Sequence, residues 1–482
     1  MAIWAPRQQR EVALQAAETQ ILAQPDAVEP RFARACLLEE LGRPAEATTA
    51  FLDLLRQAPG HLGSLLRLGN LLLLAGHDQA AETAYREAIA LHPANSAAHV
   101  NLGNLLMARG MAAAARGRFE VAIGLDPGLA EAHQGLAHAL DELGEARDAE
   151  AHRRLGYGSK PLFTLPYHGR TAPVPILLLI SAAGGNVAAA DVLDPAVFLT
   201  SVLVTEYADL DLVLPPHDAI FNAIGDAETC GRALEAAALL LQRTPAPAIN
   251  PPAAVLRTSR AENARRFAQV PGVRAPAAAT LPRELVRPDT LVRLRIGFPL
   301  LLRAPGYHGG RRLVRVDTAA ELGDASAALP GPSLTAVAFA DVRSPDGWVR
   351  KYRVMTVNGQ LYPAHLAISR EWKAHYASAE TSRLPALRAE EDGFLRDMPR
   401  ALGPRAMAAL ERVARVLALD YGGIDFAIGP GGEVVVFEAN ATMVASPPAG
   451  DGQPDLRHAA AERVRQAVRE MVLGLPRAAV SG

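Results

Sequence analysis

Apolar and polar positions in the first third of the chain recur with a step of 34 residues. Pro25, Pro59, Pro93 and Pro127 keep that step, as do Gly42, Gly76, Gly110 and Gly144, and Ala47, Ala81, Ala115 and Ala149. Phe51, Tyr85 and Phe119 form an aromatic column that Arg153 breaks, and Ala35, Gly69, Gly103 and Ala137 form a column of small residues. Columns sharing one period predict a stacked array of helix-turn-helix units, since one unit alone cannot bury its apolar face. Beyond residue 173 the pattern changes. Val174–Ile180 is a nearly continuous apolar run, as expected of a strand buried on both faces. Phe198–Thr205 and Leu210–Leu214 read as further strands, and Gly231–Gln242 as a helix. Ser259 and Glu262 have capping-box spacing and predict a helix from Arg260 to Gln269. Trp348–Val357 alternates, with Val349, Lys351, Arg353 and Met355 on one face, before an Asn358-Gly359 hairpin turn. Glu390–Leu419 and Asp455–Leu473 have helical spacing, the second with Arg and Glu on its wet face.

The 34-residue array resembles tetratricopeptide repeats, which implies an all-α solenoid with a groove for a peptide or protein partner. Asn70, Asn101 and Asn104 fall near the groove positions, where they read equally as peptide contacts or as helix-pairing amides. His99 and His133 read as surface residues, and the atypical last unit with Arg153 reads as a cap. Residues 157–173, rich in Gly and Pro, read as a linker.

Composition narrows the class. A chain of 482 residues predicts roughly two to four domains. A net charge of −2 offers no basic excess for nucleic acid or anionic membrane. Cys36 and Cys230 are the only cysteines, too few for a disulfide framework or a cysteine zinc site. The first residues lack the apolar core of a signal peptide, and Leu71–Leu74 and Ile176–Ile180 are too short to span a bilayer, so a cytoplasmic protein is expected.

The chemistry concentrates in one predicted hairpin: Gly423-Ile-Asp425-Phe-Ala-Ile428, a Gly429-Pro-Gly-Gly432 turn, then Glu433-Val-Val-Val-Phe-Glu438-Ala-Asn440. A four-residue turn pairs Ile428 with Glu433 and Asp425 with Val436. Asp425 then lies diagonally beside Glu438, on the face of Asn440, while Ile424, Phe426, Ile428, Val435 and Phe437 form the core face. Two carboxylates and an amide are hard oxygen ligands that suit Mg2+ rather than zinc. An odd loop would flip one strand and separate them. A hairpin with one solvated face accounts for the same pattern.

The order Asp425, then Phe437-Glu438-Ala439-Asn440, resembles the metal-binding end of the ATP-grasp superfamily, of the glutathione synthetase and ribosomal-protein glutamate ligase type. The resemblance covers residues 174–445. It implies a multidomain chain: a tetratricopeptide solenoid (1–156), the linker, an α/β pre-ATP-grasp domain (174–255) and an α+β ATP-grasp domain (256–478). It also implies ATP and Mg2+ as cofactors and ligation of a carboxylate to an amine through an acyl-phosphate. By that resemblance Asp425, Glu438 and Asn440 hold Mg2+. Arg303 and the loop with Gly306, His308, Gly309 and Gly310 hold phosphates. Asp341 reaches the ribose, and Arg353 stabilises the transferring phosphoryl group. His365 and Arg370 read as acceptor contacts or as structural residues. The chain departs from the family's pattern twice, with Arg303 where most members carry Lys and Ala338 where they carry Glu. Those departures motivate an alternative: a catalytically weakened nucleotide-binding adaptor that uses its repeats for protein–protein interaction.

Overall fold

The computed structural model describes residues 7–209, 211–307, 310–374, 381, 384–445 and 455–476. The chain divides into two compact units, Met1–Pro175 with Pro195–Val213, and Ile176–Asp194 with Leu214–Gly482.

The first unit is the helical repeat array. Helices α1 (Arg7–Ala23), α2 (Val28–Glu40), α3 (Pro44–Gln57), α4 (Leu62–Leu74), α5 (Asp78–Leu91), α6 (Ser96–Ala108), α7 (Ala112–Leu125), α8 (Ala130–Leu143) and α9 (Ala146–Tyr157) follow in order. The repeated glycine ends the first helix of each pair with φ between +72° and +85°. In the first pair Gly42 N–H donates to the Glu39 carbonyl and Arg43 N–H to that of Leu38, the double bond of a Schellman cap, which favours glycine because a Cβ is strained there. The aromatic column is fully buried: Phe51, Tyr85 and Phe119 are each 0 % exposed. Arg153, in the aromatic position of the last unit, instead turns to the carboxylates of Asp141 and Glu150.

Two expectations for this unit are corrected. His99 and His133 are buried, and each sets Nε2 against the carbonyl of the repeat proline six residues before it, Pro93 and Pro127. The stretch read as a linker carries a strand and a buried tyrosine. Its Tyr167 hydroxyl donates to the Thr171 carbonyl at 2.8 Å, and Arg10 donates to the Tyr167 carbonyl. Glycine and proline there mark turns in a packed segment.

Beyond the helices the first strands are β1 (Leu162–Thr164), β2 (Val174–Ile180), β3 (Phe198–Val204), β4 (Ala219–Asn222) and β5 (Ala248–Ile249). β1 and β3 are antiparallel partners in the first unit. In the second unit β2, β4 and β5 pair in parallel, with Leu177 opposite Ile220 and Phe221 opposite Ile249, and the apolar run of β2 is buried as expected. The strand expected at Leu210–Leu214 is not formed by residues 211–214, and Leu210 lies outside the described residues. Pro215 and Pro216 follow directly and supply no backbone donors to extend a ladder there.

Two further sheets complete the second unit. One has the order β7 (Ala278–Pro282), β10 (Ser333–Ala338), β8 (Leu300–Arg303), β9 (Leu313–Val316). The other has the order β12 (Gln360–Ser369), β11 (Val349–Val357), β13 (Tyr421–Ile428), β14 (Val434–Asn440), β6 (Val273–Arg274). The expected helices stand at Gly231–Leu241 and Arg260–Phe267, the stretch read as helical over Glu390–Leu419 forms two, Pro385–Arg396 and Met398–Leu417, and the last expected helix stands at Leu456–Leu473. Ser259 caps the second of these through Glu262 N–H, and Asp455 and His458 cap the last reciprocally. The last helix departs from its expected wet face at Arg457. That residue is buried on Glu391, which is 0 % exposed and lies in the Pro385–Arg396 helix.

Candidate functional site

The hairpin β13–β14 sets the geometry. Ile428 pairs with Val434, one residue beyond the expected partner, so the connection holds five residues and not four. Continued without interruption, that register would place Phe437 opposite Asp425 and turn Glu438 to the far face. A bulge between Asp425 and Phe426 corrects the phase. Asp425 then stands directly opposite Glu438, and Gly423 opposite Asn440. The three predicted ligands share one face by a different route from the one the sequence suggested. The apolar assignment shifts with it. Val435 pairs with Ala427 on the Asp425 side, and Phe437 packs beside that pair and lines the cavity.

This face looks into a cavity of about 470 Å³ walled by the last two sheets described for the second unit. Leu301, Arg303, Leu313 and Val337 come from one sheet, and Lys351, Arg353, Asp425 and Glu438 from the other. Asp425 is 1 % exposed. Arg353, its neighbour across the β11–β13 ladder, grips it in a fork, Nε to Oδ1 at 2.7 Å and Nη2 to Oδ2 at 3.0 Å. Lys351 Nζ adds a third contact at 2.6 Å. Burial alone would push the Asp425 carboxyl up, but Arg353 and Lys351 outweigh it and hold the group well below the usual carboxylate range. Glu438 pairs with Arg260, which also donates to Glu228 at 3.0 Å. Asn440 Nδ2 donates to Glu438 Oε1 at 2.8 Å, while its Oδ1 accepts from the backbone N–H and hydroxyl of Thr442.

Arg303 ends β8 at the cavity wall and is 9 % exposed. Its Nη2 donates to the Tyr307 carbonyl, and its Nε has no hydrogen-bond partner among the described residues. Burial, with Arg260 second, pushes its pKa down to about 10. Gly310 lines the cavity, whereas Gly306 approaches Thr229. His308 and Gly309 lie outside the described residues. Asp341 departs from its expected place: β10 ends at Ala338, and Asp341 is exposed beyond it, accepting Arg343 N–H at 3.0 Å. Ala338 does line the cavity. Arg370 stacks over the Trp348 ring at 4.3 Å, and His365 is buried in β12. Neither lines the cavity.

Sequence reasoning missed Arg260, Trp372 and Lys373. Arg260 sits one residue after a helix cap, where only the cap was legible. Trp372 and Lys373 follow β12 with no motif to mark them, yet both line the cavity.

The donor set fits Mg2+ in kind. Two carboxylates stand on one face, and the Asn440 amide beside them turns its Nδ2 to Glu438 and its Oδ1 to Thr442. Among the described residues no three His, Cys, Asp or Glu side chains gather as a metal cluster. Also among the described residues, no helix is long and apolar enough to cross a membrane.

A tetratricopeptide repeat family model matches residues 32–96 and 66–130, within the helical array. The solved structures similar to this region include the MamA protein, at 22 % identity over 30 % of this chain and 84 % of that one, TM-score 0.28. Others are a thermophilic tetratricopeptide protein of Thermus thermophilus, at 20 % identity over 32 % and 84 %, TM-score 0.29, and YrrB, described as a tetratricopeptide protein with an unusual peptide-binding site, at 17 % identity over 31 % and 76 %, TM-score 0.28. No curated protein matches the chain. The first third of the chain is thus a tetratricopeptide array, an architecture that suggests protein–protein interaction, and a mixed α/β region follows it.

Proposed function

We propose that the second unit is an ATP- and Mg2+-dependent carboxylate–amine ligase of the ATP-grasp type, and that the repeats recruit a peptide or protein partner. One observation carries this reading: Asp425 and Glu438, a buried Arg303 whose Nε has no partner among the described residues, and Arg353 all border one cavity between two sheets, with Asn440 on the strand face of the two carboxylates. An apolar wall of Leu301, Leu313, Val337 and Phe437 suits the flat face of a base.

In this reading Asp425, Glu438 and Asn440 hold Mg2+, which supplies charge neutralisation for the phosphates. Arg303 holds phosphate oxygens with a planar fork. Arg353 lies beside Asp425, placed to stabilise charge that develops on the transferring phosphoryl group. The substrate carboxylate takes that group and ADP leaves. An amine then attacks the acyl-phosphate carbon, and phosphate departs. No side-chain nucleophile is required, because positioning and electrostatics dominate phosphoryl transfer.

Melting with and without MgATP, for the wild type and for Glu438→Gln, tests the site. Ligand at about a hundred times its Kd adds roughly 2.7 kcal/mol to the wild type, and the variant loses most of that gain. Absence of a shift in the wild type at saturating MgATP counts against the reading. A second reading, a nucleotide-binding adaptor without turnover, draws on Ala338 in the cavity wall and Arg303 in place of lysine. ADP release in the presence of candidate carboxylates and amines favours the ligase, and tight nucleotide binding without release favours the adaptor.

A further inference from the structure

The cavity borders five basic side chains and two acidic ones. Three of the basic groups are spent within the protein: Arg353 and Lys351 on Asp425, and Arg260 on Glu438 and Glu228. Arg303 and Lys373 form no ion pair with any described residue. They come from different parts of the chain, the end of β8 and the segment after β12. Lys373 passes over the glycine loop so closely that a Cβ on Gly310 would lie 2.6 Å from its Cε and 3.5 Å from its Nζ. Gly310 has φ +73°, so a side chain there is disfavoured both by the backbone and by the lysine. Trp372, the preceding residue, sets its ring edge-on to Phe339, with centroids 6.0 Å apart. Phe339 in turn carries the Arg315 guanidinium on its face at 4.4 Å. This stack fixes the backbone from which Lys373 projects. A buried arginine with an unmet N–H and a lysine on the same cavity, neither ion-paired to a described residue, leave positive charge facing the cavity.

We infer that Lys373 is a phosphate-binding residue that grips a polyphosphate opposite Arg303. The inference rests on the nucleotide reading for the identity of the ligand, but not for the anion site itself. Lys373 supplies a point charge to the outer phosphates, where Arg303 supplies a fork to those deeper in.

The test is calorimetric titration of the full chain with MgATP, with inorganic tripolyphosphate and with adenosine, for the wild type, Lys373→Ala and Lys373→Arg. The alanine variant is expected to bind MgATP and tripolyphosphate about tenfold or more weakly, the loss of one charge-assisted contact, with adenosine unchanged and the arginine variant largely restored. Tripolyphosphate binding that depends on Lys373, without any adenosine or ATP preference, upholds the anion grip while overturning the nucleotide reading. Equal affinities in wild type and alanine variant overturn the inference, as does a wild type that binds neither tripolyphosphate nor MgATP. Lys373 is largely exposed, so the alanine variant is expected to fold, and its unliganded melting temperature serves as the control.

Discussion

Asp425 and Glu438 stand directly opposite one another across the β13–β14 ladder because a bulge between Asp425 and Phe426 absorbs one residue of β14. Without it the five-residue connection would pair Asp425 with Phe437, and the two carboxylates would face opposite sides of the sheet. The bulge also brings Phe437 to the cavity, beside the carboxylates. One irregularity therefore sets both the polar and the apolar wall of the candidate site.

Asp425 is the electrostatic centre of that wall, and its removal is expected to cost stability before it affects ligand. Asp425→Asn deprives Arg353 and Lys351 of the buried carboxylate that pairs with both. Breaking one side of a buried pair costs roughly 3–5 kcal/mol. The pH dependence has a definite sign. The folded carboxyl is held below its unfolded value of about 3.9, so its contribution is complete above that pH and is lost as pH falls through the folded value. Urea melts between pH 7 and pH 3 are expected to show the wild type losing stability below about pH 4 and the variant changing less there. Parallel curves for the two proteins would remove Asp425 from the acid response.

The repeat array was legible because its signals are periodic and local. Glycine, proline, small and aromatic columns each answer to one position in a helix pair, and a step of 34 exposes them together. The strands of the second unit were legible where apolar runs or alternation reach seven residues or more, as in β2, β11 and β13. Phase within a hairpin was harder to read. A turn rich in glycine admits several loop lengths, and a bulge leaves no compositional mark, so the face shared by Asp425, Glu438 and Asn440 was right while its register was wrong. Asp341 was expected at the end of a strand over Leu334–Asp341, whereas β10 ends three residues sooner, at Ala338. Arg260 and Lys373 reach the cavity through tertiary packing alone, which no spacing in the sequence encodes.

Glu391 and Arg457 test how much charge the core of the second unit requires. Glu391 is fully buried, accepts from Arg457 Nε at 2.9 Å and from Leu366 N–H at 3.3 Å. Burial is the larger influence on its carboxyl and raises its pKa, so the pair is held by geometry against a desolvation cost. Arg457→Met alone is expected to destabilise by roughly 3–5 kcal/mol, because it strands a buried carboxylate. Glu391→Leu combined with Arg457→Met is expected to recover a large part of that loss, apart from the unmet Leu366 N–H. Chemical denaturation of the two variants measures the difference, and a double variant no better than the single would assign the pair a net stabilising role.

The small-residue column makes a steric prediction. A Cβ on Gly69 would lie 2.3 Å from a ring carbon of Tyr85, which is fully buried and donates its hydroxyl to Asn70 at 2.7 Å. Asn101 donates to the same Asn70 oxygen at 3.1 Å, so the tyrosine closes an amide relay between neighbouring repeats. Gly69→Ala is expected to cost about 1–3 kcal/mol through overpacking, despite alanine's better helix propensity. Gly117, in a helix with nothing near its Cβ position, is the control, and Gly117→Ala is expected to stabilise by up to about 1 kcal/mol. Thermal melts in which both variants rise together would show that the ring has room to move.

His133 and His152 give the last repeat its own acid response. His133 Nε2 lies 3.0 Å from the Pro127 carbonyl, which can only accept, so Nε2 carries a proton. In neutral His133 the other nitrogen, Nδ1, is then an acceptor, and it lies 2.8 Å from Nδ1 of His152. His152 must donate there, and the two rings stack at 5.1 Å with an interplanar angle of 21°. With both rings protonated that bond has no acceptor, and two cations stand in contact. Burial, followed by His133, lowers the His152 pKa below its ordinary 6.5, against weaker opposing pulls from Asp148 and Glu120. A depressed histidine binds more protons unfolded than folded, so stability is complete above the unfolded value and falls as pH drops below about 6.5. Thermal melts followed by helical circular dichroism at pH 7.5 and 5.5 are expected to show the wild-type array losing melting temperature at the lower pH. His152→Gln keeps a donor for His133 without a titrating ring, and is expected to lose distinctly less over the same interval. An equal loss in both proteins would place the titration elsewhere in the array.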